Sequence, residues 1–105
     1  SMLGGMWEFP GGKIEKKETP EFCVEREIKE ELGIKITVVA FIKKVNHQYT
    51  NFSISIYAYH CRFVYGSPSA IGCSDWCWIY PIELEKFAFP RSSQKFFNDI
   101  QGFIL

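Results

Sequence analysis

Apolar residues recur at every fourth position through residues 20–32, with polar residues between them, and this spacing predicts an amphipathic helix. The apolar stripe consists of Val24, Ile28 and Leu32. Thr19 and Pro20 supply a hydroxyl N-cap and a proline at the first helical position. Gly33 follows, and glycine readily takes the left-handed conformation that ends a helix. We therefore predict a helix over Pro20–Leu32.

Runs of β-branched residues and period-two alternation predict strands in much of the remaining chain. Residues 34–45 are rich in isoleucine and valine, and residues 52–65 alternate between apolar and polar side chains. The polar residues 46–51 predict a break between these two strands. Residues 75–80 predict a third short strand, and residues 6–9 predict another before the helix.

The last quarter of the chain predicts helical structure. Pro81–Lys86 indicates a single helical turn, and Phe89 with Pro90 predicts a corner. Ser92 is positioned to cap a final helix. The apolar face of that helix is expected to consist of Phe96, Phe97, Ile100, Phe103 and Ile104. Because helices and strands alternate, the pattern favours an α/β or α+β fold.

Composition and charge exclude several classes of protein. The 105 residues suffice for one small domain, and an apolar fraction of 47% excludes a disordered tail. Twelve basic and twelve acidic residues give zero net charge, which disfavours nucleic acid as a partner. No stretch is long and apolar enough to span a bilayer, so we expect no membrane association. Four cysteines without a CxxC pair predict free thiols and a cytoplasmic location.

The acidic residues are concentrated in one part of the chain, because eight of the ten glutamates lie between Glu8 and Glu31. Glu27, Glu30 and Glu31 have the i, i+3, i+4 spacing that places three carboxylates on one face of the predicted helix. Their repulsion costs roughly 0.2–0.5 kcal/mol per pair on an isolated helix. Spacing alone leaves two interpretations open: a solvated acidic stripe, which is the commoner case, and a site for a hard divalent cation such as Mg²⁺.

The residues around this acidic face follow a fixed pattern. Residues 12–34 have the form G-x5-E-x7-R-E-U-x-E-E-x-G-U, in which U is aliphatic and x is any residue. This pattern resembles the signature of the Nudix hydrolases. Its specified positions are all filled, by Gly12, Glu18, Arg26, Glu27, Ile28, Glu30, Glu31, Gly33 and Ile34. The preceding residues 7–12, with the sequence WEFPGG, are similar to the MutT-type nucleoside triphosphate pyrophosphohydrolases.

The resemblance implies both a fold and an activity. The implied fold is the Nudix α/β/α sandwich with a mixed sheet. The implied activity is hydrolysis of a nucleoside triphosphate, or a related nucleoside diphosphate derivative, to the monophosphate and pyrophosphate. Mg²⁺, or alternatively Mn²⁺, would be the cofactor. The expected partner is therefore a nucleotide substrate, which in MutT-type proteins can be a damaged nucleotide.

The resemblance also assigns roles within the acidic face. It implies that Glu27, Glu30 and Glu31 are catalytic and metal-binding residues, and that the main-chain carbonyl of Gly11 adds a metal ligand. A bound metal would neutralise phosphate oxygens and lower the pKa of a water molecule that attacks phosphorus. The complete pattern thus favours the metal site over the solvated stripe.

Residues near the acidic face receive supporting roles from the same resemblance. Glu18 and Arg26 match an acid–base pair that pins the loop to the helix. Lys13 would lie near the phosphates of the substrate. Phe89 and Ser93 stand where MutT-type proteins contact the base.

Two further features of the sequence concern the N-terminal extent of the domain and an alternative function. Almost nothing precedes Gly4, whereas Nudix domains usually carry one or more strands before the loop. We therefore expect a single domain over residues 1–105 that is truncated at its N-terminus, and an exposed sheet edge that favours a homodimer. Residues 87–91 resemble the closing corner of the C-terminal domain of adenine DNA glycosylases. A non-catalytic recognition module of that kind is the alternative function.

Overall fold

The computed structural model describes residues 1–102, and its longest helix, α1, spans Pro20–Leu32 as predicted. The Thr19 hydroxyl accepts a hydrogen bond from the Phe22 amide at 3.1 Å, which satisfies a free N–H group of the first turn. At the other end Gly33 adopts a φ of 73°, and its amide donates back into the last turn at 2.9 Å. Both predicted caps are confirmed.

A long antiparallel hairpin follows α1. Strand β3 spans Lys35–Gln48 and strand β4 spans Ser53–Tyr65, so the two predicted strands are confirmed. However, β3 continues into the polar residues that predicted a break. Pairing with β4 explains the difference, because the backbone stays paired to the end of β3 and the Ser55 hydroxyl donates to Asn46 Oδ1 at 2.7 Å.

A second, short hairpin lies at the N-terminal end. Strand β1 (Met2–Leu3) pairs antiparallel with strand β2 (Met6–Trp7). β2 is shorter than the predicted strand because its partner offers only two residues for pairing. Within residues 1–102 both sheets are two-stranded and antiparallel, whereas the resemblance implied a mixed sheet.

The predicted strand over residues 75–80 is wrong. Asp75 makes a single antiparallel bridge to Met2, and residues 76–80 pair with no strand in the described part of the chain. A strand needs a neighbouring backbone to satisfy its N–H and C=O groups, and apolar patterning cannot supply one. Two of the apolar residues pack against the core instead, Trp76 against the first cluster and Ile79 against the second, whereas Trp78 and Tyr80 are exposed.

Three short helical elements complete the described chain. A 3₁₀ helix over Pro81–Lys86 confirms the predicted turn, and helices α2 (Arg91–Gln94) and α3 (Phe97–Gly102) follow it. The predicted cap at Ser92 is wrong, because Pro90 holds the N-cap position and Ser92 is buried within α2. Two residues of the predicted apolar face lie outside the described residues, namely Phe103 and Ile104.

Two apolar clusters form the core, one including residues of α1 and one including the 3₁₀ helix and α3. The first contains Ile28, Leu32, Ile34 and Ile36. The second contains Leu84, Phe89 and Phe97. The segment after β4 is tied to α1, since the amides of Ser69 and Gly72 donate to carbonyls of its last turn, each at 3.0 Å. These bonds hold the end of the helix that carries Glu30 and Glu31.

All four cysteines are free thiols, as predicted. Cys23 is buried and Cys77 is exposed, while Cys61 and Cys73 are partly buried and pack against the first core cluster. In the part of the chain that the structure describes, no helix is both long and apolar enough to cross a membrane.

Candidate active site

The loop before α1 is joined to the helix by a bidentate ion pair between Glu18 and Arg26. Arg26 Nε donates to Glu18 Oε2 at 2.5 Å, and Nη2 donates to Oε1 at 2.9 Å. The guanidinium lowers the pKa of the Glu18 carboxyl from its ordinary 4.5 to about 2, and the carboxylate raises the pKa of Arg26 in return. The structure therefore brings together the two residues that the resemblance to the Nudix hydrolases paired.

Arg26 also joins two of the three glutamates on the acidic face. Its Nη1 donates to Glu27 Oε1 at 2.8 Å and to Glu30 Oε2 at 3.1 Å. Its Nη2 also reaches the main-chain carbonyl of Lys13, a residue with an exposed side chain, at 3.3 Å. With these bonds all five N–H donors of the guanidinium have oxygen acceptors. One side chain thus connects the loop with Glu27 and Glu30.

Gly12 leaves the space in which the Glu27 carboxylate lies. A Cβ atom at position 12 would collide with Cδ and both carboxylate oxygens of Glu27. The Gly12 carbonyl accepts a weak hydrogen bond from the Cys23 thiol at 3.6 Å. Burial raises the pKa of this thiol to about 11, so it remains a donor at neutral pH. The loop therefore lies directly against the acidic face of α1.

Glu31 lies in different surroundings from its neighbours on the helix. Its side chain is buried, and Oε2 accepts a hydrogen bond from the Ser1 hydroxyl at 3.1 Å. Burial raises the pKa of this carboxyl. Gly72 packs closely against its backbone, because a Cβ atom there would lie 3.2 Å from Glu31 Cα. The three carboxylates therefore share a helix face, but only Glu27 and Glu30 share a cationic partner.

The donor set of this face suits a hard divalent cation. One cationic nitrogen already bridges oxygens of Glu27 and Glu30, so a positive charge fits between these carboxylates. Among residues 1–102, no group of three or more His, Cys, Asp or Glu side chains could hold a metal ion by itself. Mg²⁺ usually binds one or two carboxylates and completes its shell with water and substrate phosphates. Two adjacent carboxylates are sufficient for that mode of binding.

Phe89, one of the two residues expected to contact a base, lies in an aromatic cluster. Phe89 is buried, and its ring centroid lies 5.0 Å from that of Phe9 and 5.2 Å from that of Phe97. Phe9 was not expected in the site, although its partly exposed ring borders a cavity of about 90 Å³ together with Phe89. Its position directly before the Pro-Gly-Gly turn was the available signal. Ser93 is partly buried in α2, where its amide donates to the Pro90 carbonyl at 3.1 Å.

Comparison with known proteins relates almost the whole chain to one family. Residues 1–99 match the NUDIX domain family model. A protein named 8-oxo-dGTP diphosphatase from Proteus vulgaris is 45% identical over 56 residues, which are 53% of this chain and 50% of that protein. A protein named CTP pyrophosphohydrolase from Escherichia coli K12 is 33% identical over 79 residues, which are 75% of this chain and 58% of that protein. The matched part of the chain therefore spans 50% and 58% of the length of these two relatives.

A solved structure extends the similarity to the fold. The solution structure of MutT from methicillin-resistant Staphylococcus aureus 252, described as a Nudix hydrolase, is 29% identical and has a TM-score of 0.73. The superposition covers 94% of this chain and 76% of that chain. The family model, the relatives and the fold agree with the pattern in residues 12–34, and the chain therefore belongs to the Nudix family as a MutT-like member.

Proposed function

We propose that this chain hydrolyses a nucleoside triphosphate to the nucleoside monophosphate and pyrophosphate, with Mg²⁺ as cofactor and Mn²⁺ as a substitute. The observation that carries the proposal is the single guanidinium nitrogen shared by Glu27 and Glu30, at 2.8 Å and 3.1 Å, beside the glycine loop. This shared nitrogen holds the two carboxylates close together, so their negative charge is concentrated where a complex of Mg²⁺ and triphosphate can bind. The match of residues 1–99 to the NUDIX domain family supports the same class of reaction.

The acidic face of α1 is the proposed metal site. Glu27, Glu30 and Glu31 would hold Mg²⁺ together with the main-chain carbonyl of Gly11. Bound there, the cation would supply charge for the phosphate oxygens and lower the pKa of the attacking water. The chain itself keeps the ligands in place, because Arg26 holds the carboxylates of Glu27 and Glu30 near each other.

Other residues would bind and orient the substrate. Lys13 directly follows the glycine pair and is exposed, so its ammonium is available to phosphate oxygens. Phe89 and Ser93 are the proposed contacts of the base. The ring of Phe9 lies 5.0 Å from that of Phe89 and offers an aromatic face on which a base can stack.

The substrate we propose is a free nucleotide in the cytoplasm. The names of the two relatives refer to different bases, 8-oxoguanine in one and cytosine in the other. We place 8-oxo-dGTP first because the relative that carries this name is the more similar, at 45% against 33% identity. Hydrolysis of such a triphosphate would remove a damaged nucleotide.

A pyrophosphate-release assay over a panel of nucleoside triphosphates that includes 8-oxo-dGTP and CTP tests this function. We expect turnover that depends on Mg²⁺ or Mn²⁺ and stops when EDTA removes the metal. In Glu30→Gln, kcat should fall by roughly 100-fold or more, because a charge that acts on the transition state is lost. The thermal unfolding midpoint should change little, since the Glu30 side chain is exposed.

Glu25→Gln is the matched control. It removes the same charge from the same helix, but the Glu25 carboxylate pairs with Lys35 at 3.3 Å, on the side that faces β3. Turnover in this variant should therefore stay near that of the unchanged protein. Absence of turnover with every triphosphate of the panel, or full turnover in Glu30→Gln, would contradict the proposed function.

A further inference from the structure

The two ends of the Arg26 guanidinium lie in different surroundings. Nε and Nη2 hold Glu18, whose side chain is only 7% exposed. Nη1 holds Glu27 and Glu30, whose side chains are 22% and 62% exposed. The Glu18 end is bidentate, whereas at the other end one nitrogen is divided between two carboxylates. Arg26 therefore has one shielded, bidentate end and one end that is open to solvent only on the side of Glu30.

This difference decides which end can exchange its partner. Ion pairs exposed to solvent contribute little to stability and are screened by salt, whereas bidentate arginine–carboxylate pairs are stronger. A divalent cation carries twice the charge of the guanidinium and would compete for the same oxygens of Glu27 and Glu30. The Glu18 carboxylate is shielded from solvent and already accepts hydrogen bonds from two N–H groups of Arg26. A cation would therefore displace Arg26 from Glu18 less readily than from Glu27 and Glu30.

The open end also has a role before any metal arrives. Glu27 and Glu30 are three residues apart on one helix face, and two carboxylates so placed repel each other. The Nη1 bonds, at 2.8 Å and 3.1 Å, place a positive charge between them and offset this repulsion. Consequently the metal-free site is kept assembled by a group of the chain itself.

We infer that Arg26 is a built-in counter-charge that holds Glu27 and Glu30 in the metal-free protein, yields them to the divalent cation, and stays bound to Glu18 throughout. Arg26 is thus a positioning residue, since it acts through the carboxylates rather than on the substrate. This inference rests on the proposed function only in assigning Glu27 and Glu30 to the metal.

Direct metal binding to the Arg26→Gln variant, without nucleotide, gives the first test. Free Mn²⁺ can be measured by electron paramagnetic resonance during a titration. Loss of the competing guanidinium should favour metal binding by more than the small repulsion between the two carboxylates opposes it. The Kd for Mn²⁺ should therefore be about fivefold lower than in the unchanged protein. The metal-free variant should also melt at a lower temperature, and Mn²⁺ should raise its melting temperature by more than it raises that of the unchanged protein.

Lys29→Gln is the matched control for charge. It removes one positive charge from an exposed position of the same helix. Its Kd for Mn²⁺ should shift by less than about twofold, since general electrostatics near an exposed charge are weak. Unchanged or weaker Mn²⁺ binding in Arg26→Gln, or equal shifts in the two variants, would overturn the inference.

A measurement on the unchanged protein keeps the test valid even where Arg26→Gln does not fold. With ¹⁵N- and ¹³C-labelled protein, the Arg26 Nη1 and Nε signals and the side-chain carboxyl signals of Glu27 and Glu30 can be followed by NMR during a Mg²⁺ titration. We expect Nη1 to shift together with the two carboxyl signals, while Nε, which is bound to Glu18, keeps its position. A residue with a purely structural role would show no such difference between its two ends.

The outcomes separate the two proposals. Carboxyl signals that shift while Nη1 stays unchanged, or Nη1 and Nε signals that shift equally, would overturn the inference and leave the metal assignment standing. Carboxyl signals of Glu27 and Glu30 that do not respond to Mg²⁺ would contradict the metal assignment itself, and the inference would fall with it.

Discussion

Carboxylates that look alike in the sequence acquire different acidities in the fold. Arg26 lowers the pKa of Glu18 to about 2, whereas burial raises the pKa of Glu31. Protonation of Glu18 therefore favours unfolding, because the unfolded chain binds that proton more tightly than the folded one. Protonation of Glu31 has the opposite sign. Individual residues of the site thus make opposing contributions to the pH dependence of stability.

Acidification should reveal the contribution of the Glu18–Arg26 ion pair to the free energy of unfolding. Its folded-state pKa of about 2 lies below the ordinary 4.5, so the stabilisation is complete above about pH 4.5 and is lost as the pH falls toward 2. We expect the free energy of unfolding, measured with urea between pH 7 and pH 2, to fall more steeply in the unchanged protein than in Glu18→Gln. Glu31 is present in both proteins, so its contribution cancels in the difference. Parallel curves would show that the ion pair does not stabilise the fold.

The loop between β2 and α1 places a lysine in an unfavourable backbone conformation. Lys17 has a φ of 65°, and it is the one non-glycine residue with positive φ among those described. Two hydrogen bonds between Glu15 and Glu18 close the turn that contains Lys17. Glu18 Oε1 accepts from the Glu15 amide at 2.9 Å, and the Glu18 amide donates to the Glu15 carbonyl at 3.0 Å. The closed turn that contains Lys17 requires a left-handed residue, whatever its side chain.

Lys17→Gly should therefore stabilise the protein. A residue with a Cβ atom is destabilised by roughly 1–2 kcal/mol in the left-handed region, and glycine avoids this cost. Part of the gain is offset because glycine loses more conformational entropy than lysine when the chain folds. We expect the free energy of unfolding in urea to rise by about 0.5–1 kcal/mol. Lys17→Ala is the control, because it removes the charge but keeps the steric cost, and it should give no gain. Equal stabilities for the two variants would exclude backbone strain as the cause.

Elements differ in how far the sequence could predict them. Helix α1 matches its prediction at both ends, because its caps, Thr19 and Gly33, and its apolar stripe are local signals. The strand predicted over residues 75–80 did not form, because a strand depends on a partner that lies elsewhere in the chain. The same dependence extended β3 through polar residues, since β4 was there to pair with them.

The molecule as a whole buries little and leaves much apolar surface open. A cavity of about 410 Å³ is lined by residues of α1 and β4 and by the segment around Trp76 and Trp78. Trp78 and Ile82 are themselves largely exposed. Open apolar surface of this kind is typical of contact sites, but the homodimer expected from the sequence stays a prediction. With two small core clusters, each fully buried side chain carries a large share of the stability.

Leu84 is the clearest case, because it is only 2% exposed and lies in the second core cluster. Leu84→Ala should lower the free energy of unfolding by about 2–5 kcal/mol, through lost burial and the cavity left behind. Ile82→Ala in the same 3₁₀ helix is the control, since Ile82 is 81% exposed and its truncation should cost less than about 0.5 kcal/mol. Urea denaturation of both variants measures the difference, and similar losses would contradict the assignment of the core.

The sequence by itself determined the helix with its caps, the spacing of the three glutamates and the Nudix pattern, because each of these depends on residues that are close together in the chain. Only the tertiary structure decided how the carboxylates of the site differ. Arg26 binds Glu18 in the loop through Nε, and its Nη1 is shared by Glu27 and Glu30. Ser1, which is 30 residues away from Glu31 in the sequence, donates a hydrogen bond to the Glu31 carboxylate. Burial and hydrogen bonding arise where separate segments pack together, and no periodicity within one segment encodes them.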